Sequence, residues 1–195
     1  MKTQMKFQKL LLLCSLILAG ISCFYALGFF TGSLASLYQY SATQQNDVIN
    51  ANGTFEFAQN VNKVLMFMGI AFVLVIVLMY ITATQKRRNY YIDNYVTIGI
   101  AAVYAVVFAL VALILIGQTS NMFFNEVDWT KYETEIAGTT SDFGINKKGV
   151  MFILGYILYS VIILDAAALV LNLVWKIKLM QGEKALLKGV TKEVA

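Results

Sequence analysis

The sequence predicts an all-α integral membrane protein: a bundle of four transmembrane helices made of two hairpins, with both termini in the cytoplasm. Of its 195 residues, 59% are hydrophobic and only 13% are charged, with a mean hydropathy of +0.69. Soluble domains carry about 25% charged residues. The charges are also clustered, so that long apolar stretches separate short groups of Lys and Arg. We expect the whole chain to form one membrane domain.

Four apolar stretches are long enough to cross a bilayer, whose hydrocarbon core is about 30 Å thick and needs roughly 20 apolar helical residues. The predicted spans cover residues 10–37, 64–83, 95–117 and 149–175. Outside the spans we predict two external loops, at residues 38–63 and 118–148, and a cytoplasmic basic tail at residues 176–195. No soluble arrangement accommodates four such stretches in one small chain.

The first span begins like a secretory signal, because Lys2, Lys6 and Lys9 precede a Leu-rich run. A signal peptide has an apolar core of about 7 to 15 residues. Here the apolar stretch continues past Phe24 to Leu34, so we expect a retained first helix.

The distribution of positive charge predicts the orientation of the spans. Cytoplasmic flanks of membrane helices carry an excess of Lys and Arg. Eleven of the 15 Lys and Arg residues lie at the two termini and in the turn between the second and third spans, whereas four lie in the longer loops. We therefore expect both termini inside the cell, in a plasma membrane that the abundance of Lys, Asn, Ile and Phe suggests is bacterial.

Small residues predict where helices approach closely, since membrane helices associate by close packing at Gly, Ala and Ser. In the first span, Gly20, Gly28 and Gly32 lie on one row of the helix, in which successive positions are four residues apart. The third span carries a similar row with Ala101, Ala105 and Ala109. We expect these rows to be close-contact faces, either within the bundle or with another subunit.

The second span has a different pattern. Between Phe72 and Tyr80 every residue is Val, Leu, Ile or Met, which leaves little room for close helix approach. We expect most of this segment to face lipid.

Asp165 is the one ionisable residue well inside a predicted span, ten residues before Trp175. An Asp near the bilayer centre costs about 2.5–3.5 kcal/mol. We expect one of three arrangements: a protonated side chain, hydrogen bonds from Tyr, Thr or Ser of neighbouring helices, or a cation from another subunit. Asn172 shares the same helix face and extends this polar candidate site. The candidate donors are Tyr25, Tyr104 and Tyr159.

The cytoplasmic tail is predicted to be a basic amphipathic helix. Its membrane-surface Lys residues are Lys176, Lys178, Lys184, Lys188 and Lys192. Such a helix is expected to lie on the anionic inner leaflet or to dock on a cytoplasmic partner.

The second external loop mixes aromatic residues with acids. Its aromatic residues are Phe123, Phe124, Trp129 and Tyr132. Three interpretations stay open: the loop folds over the bundle, presents an aromatic patch to a partner, or rests on the lipid headgroups.

The composition excludes several kinds of chemistry. The chain has no His, which removes His-ligated haem and zinc and a His general base. Its two cysteines, Cys14 and Cys23, fall on opposite faces of the first helix and are expected to be inert thiols. We expect no metal, no cofactor and no catalytic residue, and the chain is not predicted to be an enzyme.

Two functions are compatible with this pattern. The leading hypothesis is a non-catalytic accessory, assembly or regulatory subunit of a larger membrane complex, such as a transporter. The alternative is a small oligomeric transporter or channel that uses Asp165 as an intramembrane cation or proton site. The expected partners are the lipid bilayer and another membrane protein subunit or a second copy of the chain; a nucleic-acid partner is not expected.

Overall fold

The computed structural model describes residues 2–30, 47, 49–84, 91–136 and 149–193, and every regular element in those ranges is helical. We number the long helices in chain order as α1 (Lys2–Phe24), α2 (Asn52–Thr84), α3 (Tyr91–Asn125) and α4 (Val150–Glu193). Three short helical turns accompany them, a π-helical Tyr25–Phe30, an α-helical Trp129–Lys131 and a π-helical Tyr132–Ile136.

Each long helix, α1 together with the π-helical turn that follows it, contains a stretch that is long and apolar enough to cross a membrane. The four stretches are Lys6–Leu27, Asn52–Ile81, Ile98–Asn125 and Val150–Gly182. In hydrocarbon every backbone N–H and C=O group needs an internal partner, which a continuous helix supplies. The sequence helps because it has no proline, so no residue removes a backbone donor. The all-helical class with four helices of spanning length is confirmed.

The helices extend further than the predicted spans. α2 begins at Asn52 and α3 ends at Asn125, so residues 52–63 and 118–125 of the predicted loops are helical. The difference arises because hydropathy marks only the apolar part of a helix, whereas its polar end turns depend on local hydrogen bonding.

Asp47 supplies such bonding at the start of α2. Its two carboxylate oxygens accept hydrogen bonds from the backbone N–H groups of Ala51 and Asn52, each at 2.8 Å. The first N–H groups of a helix have no intrahelical acceptor, so these bonds stabilise the first turn.

α4 runs unbroken for 44 residues, which corresponds to about 66 Å at 1.5 Å per residue. Crossing the hydrocarbon takes only about 30 Å of that length. The predicted tail, residues 176–195, therefore begins as a continuation of α4 and not as a separate helix. Its association with the inner leaflet stays a prediction.

The four helices form a ring in which α1 contacts α2 and α4, and α3 likewise contacts α2 and α4. Aromatic side chains fill the centre of this ring. The Phe108 ring lies 5.9 Å from Phe72 and 5.3 Å from Tyr159, and Tyr25 lies 6.0 Å from Tyr159. Lipid tails are as apolar as these rings, so close packing holds the centre together.

The middle of α2, most of which is expected to face lipid, buries one stripe of side chains in the bundle. Phe72, Ile76 and Met79 are buried in the bundle, whereas Leu74 and Leu78 are about 60% exposed. The buried positions are four and three residues apart, which is the helical period. A uniformly apolar helix buries one face without any change of composition to mark it.

Candidate functional site

Buried polar side chains line the contact between α1 and α4, and we call this set the polar seam. It consists of Gln4, Gln8 and Ser15 from α1 and of Asp165 and Asn172 from α4. Asp165 is partly buried and the other four side chains are at most 2% exposed. Gln4 meets Asn172 while Ser15 meets Asp165, so the two helices run antiparallel.

The centre of the polar seam is a short contact between Ser15 and Asp165. Ser15 Oγ lies 2.6 Å from Asp165 Oδ2 and 3.0 Å from the backbone oxygen of Leu11. A hydroxyl carries one hydrogen. When Ser15 donates to Asp165, Oδ2 is the acceptor; when it donates to Leu11, a protonated Asp165 donates to Ser15 Oγ. Either arrangement provides Asp165 with a partner inside the bundle.

This contact lies deep in the part of the chain that can span a membrane. Ser15 falls near the middle of Lys6–Leu27 and Asp165 near the middle of Val150–Gly182. A hydrogen bond between membrane helices contributes about 0.6 kcal/mol on average and up to about 1.7 kcal/mol. The bond therefore offsets part of the cost of placing an acid there, and it aligns the two helices.

The end of the polar seam nearest the start of α1 consists of amide side chains. Gln4 Nε2 donates to Gln8 Oε1 at 3.3 Å and to Asn172 Oδ1 at 3.1 Å, which uses both of its hydrogens. Asn172 Nδ2 is buried and has no hydrogen-bond partner among the described residues. Lys176 follows one turn later on the same row of α4 and is only 4% exposed. This end of the seam is rich in hydrogen-bond donors.

The three predicted tyrosine donors have other roles. Tyr25 donates to the backbone oxygen of Met151 and Tyr104 to that of Met68, each at 3.0 Å. The Tyr159 hydroxyl is buried without a hydrogen-bond partner in the described part of the chain. The expectation that a tyrosine bonds Asp165 is therefore wrong, while a serine from a neighbouring helix, the other donor type expected, is present.

The predicted small-residue rows have different outcomes. Ala101, Ala105 and Ala109 are fully buried. Gly20 is half-buried, and a Cβ there would have no neighbour within 4 Å, so no other helix approaches it closely. Gly28 lies in the π-helical turn after α1, and Gly32 lies outside the described residues.

Two other glycines leave space that a side chain from a neighbouring segment occupies. A Cβ at Gly69 of α2 would stand 3.1 Å from the sulfur of Cys23, and a Cβ at Gly155 of α4 would overlap the hydroxyl of Tyr25. Neither lies in a small-residue row, so their importance follows from the helix arrangement and not from a sequence motif.

The described part of the second predicted loop, residues 118–136, packs against one end of the bundle. Trp129 is 7% exposed, and its Nε1 donates to the backbone oxygen of Phe123 at 2.9 Å. The backbone N–H of Asp128 donates to the oxygen of Ile49 at 2.9 Å and so joins the two predicted loops. Of the three interpretations, folding over the bundle is the one that the described residues show, although Phe124 stays 42% exposed.

The predicted basic residues differ in their surroundings. Lys176 is buried and Lys178 is exposed. The backbone at Lys184, Lys188 and Lys192 belongs to α4, while their side chains lie outside the described part of the structure.

The α1 residues of the polar seam are absent from the sequence prediction, although a signal for them exists. Gln8, Ser15 and Ser22 lie seven residues apart, and so do Asp165 and Asn172. A seven-residue repeat keeps side chains on the face that meets a neighbouring helix. Matching polar repeats on two apolar helices therefore indicate the pairing of α1 with α4.

Within the described ranges, no three His, Cys, Asp or Glu side chains are grouped so that they could hold a metal ion. The chain has the make-up of a multi-pass helical membrane protein. No family model, curated protein or solved structure matches it.

Proposed function

We propose that the chain is a non-catalytic subunit that assembles with, stabilises or regulates a larger membrane complex. It crosses a plasma membrane four times as two hairpins, with both termini in the cytoplasm. The charge distribution supports this orientation, since 11 of the 15 Lys and Arg residues fall on the side of the termini.

The hydrogen bond between Ser15 and Asp165 carries the proposal. An intramembrane acid is by default expected to serve function. Here it joins α1 to α4, so its role is to fix how two helices pack. A bundle fixed in this way presents a defined outer surface to a partner.

That outer surface has a groove between α1 and α4 suited to a partner helix. Its volume is about 410 Å³, and it is apolar, with Leu18, Ile21, Phe24, Leu154, Ile157 and Val161 in its wall. Membrane helices associate by van der Waals packing into such surfaces. The proposed occupant is a transmembrane helix of another membrane protein.

Site-directed photo-crosslinking tests the proposal in the native membrane. A photoreactive residue replaces Ile157, which lines the groove and is 56% exposed; the matched control replaces Ile114 of α3, which is 60% exposed and outside the groove. We expect Ile157 to give one heavier adduct, identified by mass spectrometry as another membrane protein, and Ile114 to give none. Adducts between copies of this chain alone, or equal adducts from both positions, would contradict the proposal.

A further inference from the structure

Asp165 uses only one of its two carboxyl oxygens inside the bundle. Oδ2 contacts Ser15 Oγ at 2.6 Å, whereas Oδ1 has no hydrogen-bond partner among the described residues. Asp165 is partly exposed, so Oδ1 can be reached from outside the bundle, unlike the fully buried polar atoms that lack a partner. In hydrocarbon no water is present to bond such an oxygen. Oδ1 is therefore open to a side chain from a neighbouring helix.

The groove between α1 and α4 leads to Asp165. Ile157 and Val161 lie in its wall, and Asp165 follows Val161 by four residues, on the same row of α4. From Ile157 to Asp165 the distance along the helix axis is about 12 Å at 1.5 Å per residue. A partner helix that is seated in the groove and runs along α4 therefore reaches the level of Asp165.

The surface beside Asp165 is formed by short side chains. Cys14 precedes Leu18 of the groove by four residues on α1 and is exposed. Ala168 follows Asp165 by three residues on α4 and is partly exposed. Small residues allow membrane helices to approach closely. A partner helix can thus come within hydrogen-bonding reach of the carboxyl group at this level.

The chemistry of Oδ1 selects the partner side chain. Oδ1 accepts a hydrogen bond when Asp165 is a carboxylate or is protonated on Oδ2, and it donates when it carries the proton itself. Hydroxyl and amide side chains both donate and accept, so they match every one of these forms. They also add no second charge to the membrane interior, where a charge is costly.

We propose that the transmembrane helix in the groove carries a Ser, Thr, Asn or Gln side chain that hydrogen-bonds Oδ1 of Asp165. This inference rests on the proposed function and adds the chemistry of the partner to it. The partner helix places apolar side chains against Ile157 and Val161 and one polar side chain about two turns away. Asp165 then joins three helices, since Oδ2 links α4 to α1 and Oδ1 links α4 to the partner.

The test measures the yield of the adduct formed by a photoreactive residue in place of Ile157, in the full-length protein in its native membrane. Asp165→Asn keeps an oxygen for the partner and supplies an amide that donates to Ser15, whereas Asp165→Leu removes both oxygens. We expect Asp165→Asn to give the parent yield. Asp165→Leu should give about threefold less or lower, as expected for loss of one hydrogen bond between membrane helices. An unchanged yield in Asp165→Leu would overturn the inference.

Ser15→Ala is the matched control, because it removes the same bond between α1 and α4 but leaves Oδ1 in place. We expect it to give the parent yield of adduct. A loss equal to that of Asp165→Leu would mean that a weakened polar seam lowers the yield, and would overturn the assignment of Oδ1 to the partner.

Mass spectrometry of the adduct provides a second readout, on the partner's side. We expect a Ser, Thr, Asn or Gln about seven or eight residues from the crosslinked residue of the partner helix, the separation that spans about 12 Å. Replacing it by Leu should lower the yield in the parent protein and have no further effect in Asp165→Leu. Additive losses, or no such residue, would overturn the inference while leaving the proposed function standing. No adduct at all from the parent would contradict the proposed function itself.

Discussion

The contact between Asp165 and Ser15 shows how an acidic side chain, which costs free energy in hydrocarbon, is accommodated in the bundle. The 2.6 Å contact gives the carboxyl group a partner on another helix, close to the middle of both candidate spans. Because the same contact is satisfied by a neutral acid, the side chain needs no counter-ion from outside the chain. The hydrogen bond is therefore compatible with a structural role of Asp165, which the variants below test.

Substitutions at Asp165 test this interpretation. Asp165→Asn should leave stability nearly unchanged, because its amide can donate to Ser15 Oγ. Asp165→Leu should lower the free energy of unfolding by about 0.6–1.7 kcal/mol, measured by reversible unfolding in mixed micelles. Ser15→Ala should lower the free energy of unfolding by a similar amount. The double variant of Ser15→Ala with Asp165→Leu should lose no more stability than either single variant. Ser160→Ala, which changes an exposed serine of α4, is the control. Additive losses would show that the two residues do not interact.

Asp165→Asn also separates the accessory role from the transporter alternative. A transporter that used Asp165 as a cation or proton site would lose flux in Asp165→Asn. In proteoliposomes loaded with a pH-sensitive dye, we expect the parent protein and Asp165→Asn to give the same proton permeability. A parent flux that disappears in the variant would favour the transporter.

Gly155 and Gly20 give a second contrast at the residue scale. Gly155→Ala should destabilise the bundle, because its Cβ would overlap the Tyr25 hydroxyl and would stand 3.0 Å from Ile116. Gly20→Ala should be neutral or stabilising by up to about 1 kcal/mol, because its Cβ meets nothing and Ala favours helix. The measurement is again unfolding in mixed micelles. Adding Tyr25→Phe to Gly155→Ala should restore part of the loss; no restoration would mean that another contact causes it.

At the scale of elements, apolar length predicted the four long helices because each one must satisfy its own backbone in hydrocarbon. It did not predict residues 52–63 as helix, since their polar side chains give no hydropathy signal and the capping of α2 depends on Asp47. The partner of Asp165 also escaped prediction. Choosing Ser15 over a tyrosine requires the rotation of α1 and α4, which single-residue properties do not specify.

The folded loop at the bundle end makes a prediction for the two tryptophans. Trp129 is 7% exposed under the loop, whereas Trp175 is 41% exposed on α4. Trp175→Phe leaves Trp129 as the single tryptophan, and Trp129→Phe leaves Trp175. The fluorescence of Trp129 should be shielded from quenching by aqueous iodide and by brominated lipid. Trp175 should be quenched by brominated lipid. Iodide quenching of Trp129 equal to that in the unfolded chain would show that the loop does not cover the bundle.

At the scale of the molecule, the structure combines a packed aromatic centre, one polar seam and a largely apolar exterior. The centre and the seam both join α4 to its neighbours. Its continuation to Glu193 carries the same element from the membrane interior toward the proposed cytoplasmic side. A partner that binds the groove between α1 and α4 would contact both helices that the polar seam joins.

Cysteine accessibility in intact cells tests most directly whether the chain crosses the membrane four times. In a background with Cys14→Ser and Cys23→Ser, single cysteines replace Gly53, Glu126, Arg88 and Glu193 and are treated with a membrane-impermeant maleimide. We predict that Gly53→Cys and Glu126→Cys react in intact cells, whereas Arg88→Cys and Glu193→Cys react only after permeabilisation. Reaction of Arg88→Cys in intact cells, or recovery of the chain without detergent in the soluble fraction, would contradict the account.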